Sequence, residues 1–306
     1  MKALIAVDGS NGSFEAVRQA SELLSPERDQ VAFYYSPPGL RVDGPAPDEQ
    51  VLARVRQSLA EAIFAEARAR LGAAWTAEVH TIVGHSPAGQ GVTAAADLWH
   101  ADMIAVGARG LGPIQRLLLG SVSRSVVQAS SVPVLVARPR PETLRHAGWR
   151  VLVACKSQAA GQDAARLLGQ LSFPPDSVGR AISIVQPMFA GQIPAWLEEQ
   201  ARSSETEAMA ASWMQEHAAE LAEKQAEMTD YCRQLPEVFH QRAPIVAEGH
   251  PAEVILKTVA SENIDLLVVG AKQAGSVARL LLGSTSEAVL GHAPCSVLVV
   301  RRTPQP

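Results

Sequence analysis

The stretch Gly107-Ala-Arg-Gly-Leu-Gly-Pro-Ile-Gln-Arg-Leu-Leu-Leu-Gly-Ser121 decides how this chain is read, because it returns as Gly270-Ala-Lys-Gln-Ala-Gly-Ser-Val-Ala-Arg-Leu-Leu-Leu-Gly-Ser284. The two copies lie 163 positions apart. At the same spacing Asp102 meets Asp265, Ser123 meets Ser286, Val134-Leu-Val136 meets Val297-Leu-Val299 and Arg138 meets Arg301. One spacing held without a gap over such a span marks a duplicated unit. Upstream, Gly84-His85 matches Gly249-His250 and Leu4-Ile-Ala-Val7 matches the start of Val151-Leu-Val-Ala154. The spacing changes there because the second copy has a longer middle. Two domains are expected, 1–140 and 149–306, divided by a polar join holding Pro139, Pro141, Glu142 and Gly148, where proline and glycine disfavour continuing a strand or helix.

Each copy alternates short apolar runs with longer amphipathic ones. In the first, Lys2–Val7, Gln30–Ser36, Thr76–Val83, Met103–Gly107 and Val132–Ala137 read as strands, and 13–25, 48–71, 87–99 and 121–130 as helices. Met103–Val106 and Val132–Val136 are almost wholly apolar. Strands buried on both faces have that composition, as in parallel sheets covered by helices. The expected fold is α/β, two tandem doubly wound domains. The second copy adds a long helical stretch, about 196–235, with nine acidic and three basic residues. It reads as a helix packing one face on its own sheet, or as a partner-binding helix, and its charge excludes a nucleic-acid contact. The last strands, apolar and without charges inside the runs, would be exposed edges that invite pairing.

Composition narrows the function classes. The 306 residues are 47% hydrophobic and 19% charged, enough to build cores. A net charge of −4 argues against a general nucleic-acid binder. Cys155, Cys232 and Cys295 form no CxxC pair, so neither a disulfide framework nor a zinc site is expected, and a reducing cytoplasm fits. No apolar run approaches the length of a membrane helix, and the N-terminal apolar run is too short for a signal peptide.

In open α/β sheets, ligands bind beyond the carboxyl ends of the strands. Asp8 ends the first strand, Tyr35 and Ser36 the second and Gly107 the fourth. Glycines 107, 110 and 120 let a ligand approach the backbone. Ser121 opens a helix, whose free N–H groups and partial positive charge suit phosphate. Ser121 and Ser123 offer hydroxyl donors, Arg109 and Arg116 offer charge, and Asp8 offers an acceptor for a ribose hydroxyl. A tight turn with ordinary helix caps at Asp8 and Ser121 is the structural alternative.

The pattern Gly107-x2-Gly110-x9-Gly120-Ser121, with an aspartate ending the first strand, resembles the nucleotide signature of the universal stress protein family. The resemblance covers both copies, so the chain is similar to a tandem universal stress protein. It implies a five-stranded parallel sheet flanked by helices in each domain, and ATP, alone or with Mg2+, as ligand. The adenosine side falls to Ala6, Val7, Asp8 and Tyr35. The phosphate side falls to Gly107, Arg109, Gly110, Gly120, Ser121, Val122 and Ser123. It also implies that the fifth strands pair, here Val134–Val136 with Val297–Val299 inside one chain, with a homodimer as a further option and protein partners left open.

Alignment through Ser10 and Ser157 sets Cys155 opposite Asp8, and Gln273 stands where Gly110 does. The second site is therefore expected to bind ATP weakly or not at all. No Walker GxxxxGK[ST] motif and no evident general base occur, so an ATP-responsive stress or regulatory module is the leading reading. A slow ATPase or nucleotidyl-transferase-like enzyme and a ligand-free scaffold are the alternatives.

Overall fold

The structure, a computed structural model, describes residues 1–37, 48–76, 78–84, 86–110, 119–140, 148–186, 204–271 and 283–301, excepting the side chains of 204–211 and 213. His85, Arg116, Lys272, Gln273 and Arg279, all singled out by the repeat, lie outside the described residues.

The first half runs β1 (Lys2–Ala6), α1 (Asn11–Leu23), β2 (Gln30–Tyr35), α2 (Glu49–Leu71), β3 (His80–Val83), α3 (Ala88–Trp99), β4 (Met103–Gly107), α4 (Ser121–Ala129) and β5 (Val134–Ala137). The second runs β6 (Arg150–Ala154), α5 (Gln158–Leu168), β7 (Val178–Val185), α6 (Ser204–Cys232), a 3-10 turn (Glu237–Phe239), β8 (Ile245–Glu248), α7 (Pro251–Ser261), β9 (Leu266–Gly270), α8 (Ser284–His292) and β10 (Ser296–Val300). The strands form one sheet in the order β3-β2-β1-β4-β5-β10-β9-β6-β7-β8. Within each half all pairs are parallel. Among the described strands β5 and β10 alone meet antiparallel, with Val134, Leu135 and Val136 opposite Val299, Leu298 and Val297. The expected pairing of the last strands within the chain is thus observed, and it turns two five-stranded sheets into one.

Apolar side chains fill both faces of this sheet. One core takes Ile5, Phe33, Leu135, Leu298 and residues from α1, α2, α5 and α6. The other takes Leu4, Tyr34, Val134, Val299 and residues from α3, α4, α7 and α8. Burial on both faces is why the strands lack a polar alternation. The third strand is shorter than expected, His80–Val83, because it lies at the sheet edge and pairs only with β2.

The long helix α6 ends against its own half. Met228, Tyr231, Cys232 and Leu235 are buried, and the Tyr231 hydroxyl donates to the Gly161 carbonyl at 2.8 Å. Lys224 pairs with Glu227 one turn before this buried end, at 2.6 Å.

The join between the halves is docked by buried polar groups. Asp265 is 3% exposed and accepts from Arg140 Nε at 2.9 Å and the Arg150 amide at 2.8 Å. Arg140 stacks on Trp149, whose indole N–H donates to Glu22 of α1. The matching aspartate of the first half, Asp102, is exposed and accepts the Lys2 amide. Removing one partner of a buried ion pair leaves an uncompensated charge in a poor solvent for it. Asp265→Ala is therefore expected to lower the free energy of urea unfolding by about 3–5 kcal/mol, and Asp102→Ala by much less. Equal losses at the two positions would show that the join carries no such load.

Candidate functional site

A cavity of about 540 Å3 opens at the carboxyl ends of β1, β2 and β4, between them and the starts of α3 and α4. Ten of the eleven site residues read from the sequence line it: Ala6, Val7, Asp8, Gly107, Arg109, Gly110, Gly120, Ser121, Val122 and Ser123. Tyr35 does not. It is 3% exposed in the core beneath α2, edge-on to Phe64 with ring centroids 6.5 Å apart. Tyr34 lines the cavity instead. Successive strand residues point to opposite faces, so a one-residue difference along β2 exchanges the two tyrosines. Ser13, Ser36, Ala88, Val92, Val106 and Leu119 also line the cavity and were not among the residues read as its site. Ser36 was already legible as a strand end, whereas the run Val31–Tyr35 is buried throughout and carries no alternation that marks Tyr34.

Local interactions hold the rim. Asp8 Oδ1 accepts from the Ser10 amide at 3.0 Å and the Ser10 hydroxyl at 2.5 Å. Ser10 Oγ in turn accepts from the Ser13 amide and so caps α1. The carboxylate is thereby fixed through one oxygen. Its other oxygen, Oδ2, lies over Gly110, where a Cβ would stand 2.3 Å from it. Glycine at 110 is thus required by close approach to Asp8 rather than by a left-handed backbone, since Gly110 is not among the positive-φ residues.

The strand end is pressed equally close to α1. A Cβ on Gly107 would lie 2.4 Å from the Gly12 carbonyl carbon, and one on Gly12 would lie 2.3 Å from the Arg109 carbonyl oxygen. These are backbone atoms that cannot give way, so both positions need glycine.

Gly120 caps α4 without a side-chain hydrogen bond, and its amide donates to the Ala108 carbonyl at 2.8 Å. The first N–H groups of α4 therefore face the cavity rim with no side-chain cap. Ser121 is exposed there, and Val122 is 40% exposed. Ser123 differs from its expected role as a free donor. It is buried and spends its proton on the Gly107 carbonyl at 2.6 Å, tying helix α4 to strand β4.

The second half keeps part of this plan. Gly283 caps α8 without a side-chain bond, and Ser286 donates to the Gly270 carbonyl at 2.8 Å. Its β6–α5 turn differs. The Val7 amide donates to the carbonyl of Tyr34, and the Cys155 amide to that of Ile182, with Ala6 and Ala154 in matching register. Cys155 therefore occupies the place of Val7, not of Asp8. Only Lys156 separates it from the cap Ser157, where Asp8 and Gly9 (φ +84°) separate Val7 from Ser10. The turn is one residue shorter and has no carboxylate. Gly270 is exposed, and a Cβ there would touch none of the described residues within 4 Å. The close contact of Gly107 with α1 thus has no equivalent at Gly270.

Burial pushes the Cys155 thiol up to about 12, and the charges of Cys232 and Glu227 act in the same direction. Such a thiol is a poor nucleophile at neutral pH. Among the described residues no cluster of His, Cys, Asp or Glu is built to hold a metal. Among the same residues no helix is long and apolar enough to cross a membrane.

Comparison with known proteins agrees with this architecture. The sequence profile of the universal stress protein family matches residues 1–138 and 197–301. The unmatched part between them contains β6 and the shortened turn. A universal stress protein from Archaeoglobus fulgidus DSM 4304 superposes with a TM-score of 0.62 at 21% identity, covering 99% of this chain and 98% of that one. A Pseudomonas aeruginosa UCBPP-PA14 protein assigned to the same family superposes with a TM-score of 0.54 at 15% identity, covering 98% and 92%. At these identities the likeness is one of fold. A universal stress protein of Thermus aquaticus is 46% identical over 57 residues, 19% of this chain and 42% of that protein. The chain thus spans less than half the length of the curated relatives it matches. With the family profile spread over both halves of the sheet, and with a solved relative's fold followed from end to end, the chain belongs to the universal stress protein family.

Proposed function

We propose that the first half binds ATP and that the protein acts as a nucleotide-responsive stress or regulatory module. The observation that carries this reading is the meeting, in one cavity, of the Asp8 carboxylate and the uncapped N-terminus of α4. The cavity volume of about 540 Å3 falls in the range of small-molecule sites. In this arrangement Asp8 Oδ2 accepts from a ribose hydroxyl while Oδ1 stays with Ser10. Ala6, Val7, Tyr34 and Ser36 surround the base. The backbone of Gly107, Gly110 and Gly120, with the N–H groups of Ser121, Val122 and Ser123, takes the phosphates, and the helix dipole favours their charge. Arg109 adds a cation. Should Mg2+ accompany ATP, Asp8 is the one carboxylate among the described lining residues, so the phosphates would supply most of its ligands.

Holding ATP is favoured over hydrolysing it. Hydrolysis needs a group that positions the attacking water. Asp8 already has one oxygen committed to Ser10, and Ser123 has its proton committed to Gly107.

Calorimetry of the full chain tests the proposal. Asp8→Ala is expected to weaken ATP binding by about tenfold or more, the cost of losing a charge-assisted hydrogen bond, and Asp8→Asn by less because one acceptor remains. Gly110→Ala, which pushes the Asp8 carboxylate aside, is expected to weaken binding as well. Chromatography of the nucleotide after incubation should recover it as ATP. Absence of binding by the unaltered protein, or affinity indifferent to all three changes, would sink the proposal.

The shortened turn of the second half generates a separate expectation. One ATP should bind per chain, and Lys156→Ala should leave the stoichiometry and affinity unchanged. Two equivalent ATP molecules per chain would show that the second half needs neither the carboxylate nor the close contact of Gly107 with Gly12.

A further inference from the structure

Leu135 faces its repeat partner Leu298 across the β5–β10 seam, and Val134 and Val136 face the repeat partners of each other, so the seam has an approximate two-fold axis. Some contacts obey it. Arg138 Nη2 donates to the Leu290 carbonyl at the end of α8, at 2.6 Å, and Arg301 Nη2 donates to the Val127 carbonyl at the end of α4. Arg138 and Arg301 are repeat partners, as are Val127 and Leu290. Each arginine complements the carbonyl end of the opposite helix. These contacts would form whichever two halves met.

Other contacts break the symmetry. Arg124 of α4 pairs with Glu287 of α8 at 3.2 Å, and these two positions are repeat partners of each other. Two first halves would set Arg124 against Arg124, and two second halves Glu287 against Glu287. In water the pair contributes little attraction of its own. Its larger effect is on choice, because both wrong pairings place like charges together.

Beneath it lies a buried network drawn from both halves. The Ser296 hydroxyl accepts from the Arg138 amide at 2.9 Å and donates to Gln19 Oε1 at 2.7 Å, while Gln19 Nε2 donates to the Arg138 carbonyl at 2.8 Å. Gln19 and Ser296 are both 0% exposed. The repeat partner of Ser296 is Pro133, and the residue matching Gln19, counted from the helix caps Ser10 and Ser157, is Arg166. A seam of two first halves would bury the Arg138 amide opposite a proline with no hydroxyl. A seam of two second halves would lack the glutamine. A buried donor left without a partner is costly.

We infer that the last-strand surface of each half is built to accept the unlike half and to reject a second copy of its own kind. None of these seam residues lines the nucleotide cavity, and the inference stands whether or not ATP binds. Each chain carries two such edges. Like-with-like pairing would join β5 to β5 and β10 to β10 of different chains and so needs a second chain. Unlike pairing lets the chain close on itself.

The test begins with the full chain carrying a protease site within residues 141–147. The cut protein is unfolded in urea and refolded as a mixture, and the pairs are weighed by native mass spectrometry. Random choice would make about half of all pairs unlike, and the expected result is unlike pairs exceeding like pairs by about tenfold or more. A statistical mixture would overturn the inference. In the triple variant Gln19→Ala, Ser296→Ala, Glu287→Arg, the preference should fall toward that mixture, and retention of the full preference would also overturn it. If the cut halves refold poorly, sedimentation of the uncut chain decides. Refolded wild type should show the same species as concentration rises, whereas an open-ended series growing with concentration would contradict the proposal. Arg124→Glu and Glu287→Arg should each lower the urea midpoint of the uncut chain, and the double exchange should restore it.

Discussion

The antiparallel pairing of β5 with β10 is the contact on which the rest of the molecule depends. Without it each half would end in an apolar strand with unpaired N–H and C=O groups, a template for aggregation. Pairing Val134–Val136 with Val297–Val299 satisfies those groups and joins both cores across the seam, since Leu135 and Leu298 lie in one and Val134 and Val299 in the other. The buried contacts of Arg140 and Trp149 follow from the same pairing. Arg140 can reach Asp265, and Trp149 can reach Glu22, only because the two halves share a sheet.

Duplication followed by divergence has left the two halves unequal around the cavity of the first. The first keeps a two-residue turn, Asp8-Gly9, before the cap of α1, and it keeps the Gly107–Gly12 approach that brings strand β4 against that helix. The second has a turn shorter by one residue, and Gly270 makes no such approach to the described residues. Both halves retain the serine that ties the helix after the loop to the strand before it, Ser123 to Gly107 and Ser286 to Gly270. That bond therefore belongs to the scaffold. The turn at Asp8 and the approach of Gly107 to Gly12 are not shared.

The same inequality serves the seam. Contacts that obey the repeat, such as the two arginines reaching helix ends, hold the halves together. Contacts that violate it, Arg124 with Glu287 and Ser296 with Gln19, tell them apart. A chain of two identical halves would have the first kind alone.

Much was legible from the order of residues. The repeat, the wholly apolar strands and the strand-end glycines prescribe two parallel α/β units with a cavity near Asp8 and Ser121, because periodicity and loop chemistry are local properties. Three matters were decided only in three dimensions. Tyr34 rather than Tyr35 reached the cavity, since a strand buried on both faces carries no polar alternation to reveal its phase. Cys155 took the place of Val7, since a serine common to both copies hid a deletion that the sheet register exposes. Ser296 came to serve Gln19, 277 positions away, since a hydrogen bond across a seam depends on where two strands lie and leaves no spacing in the sequence.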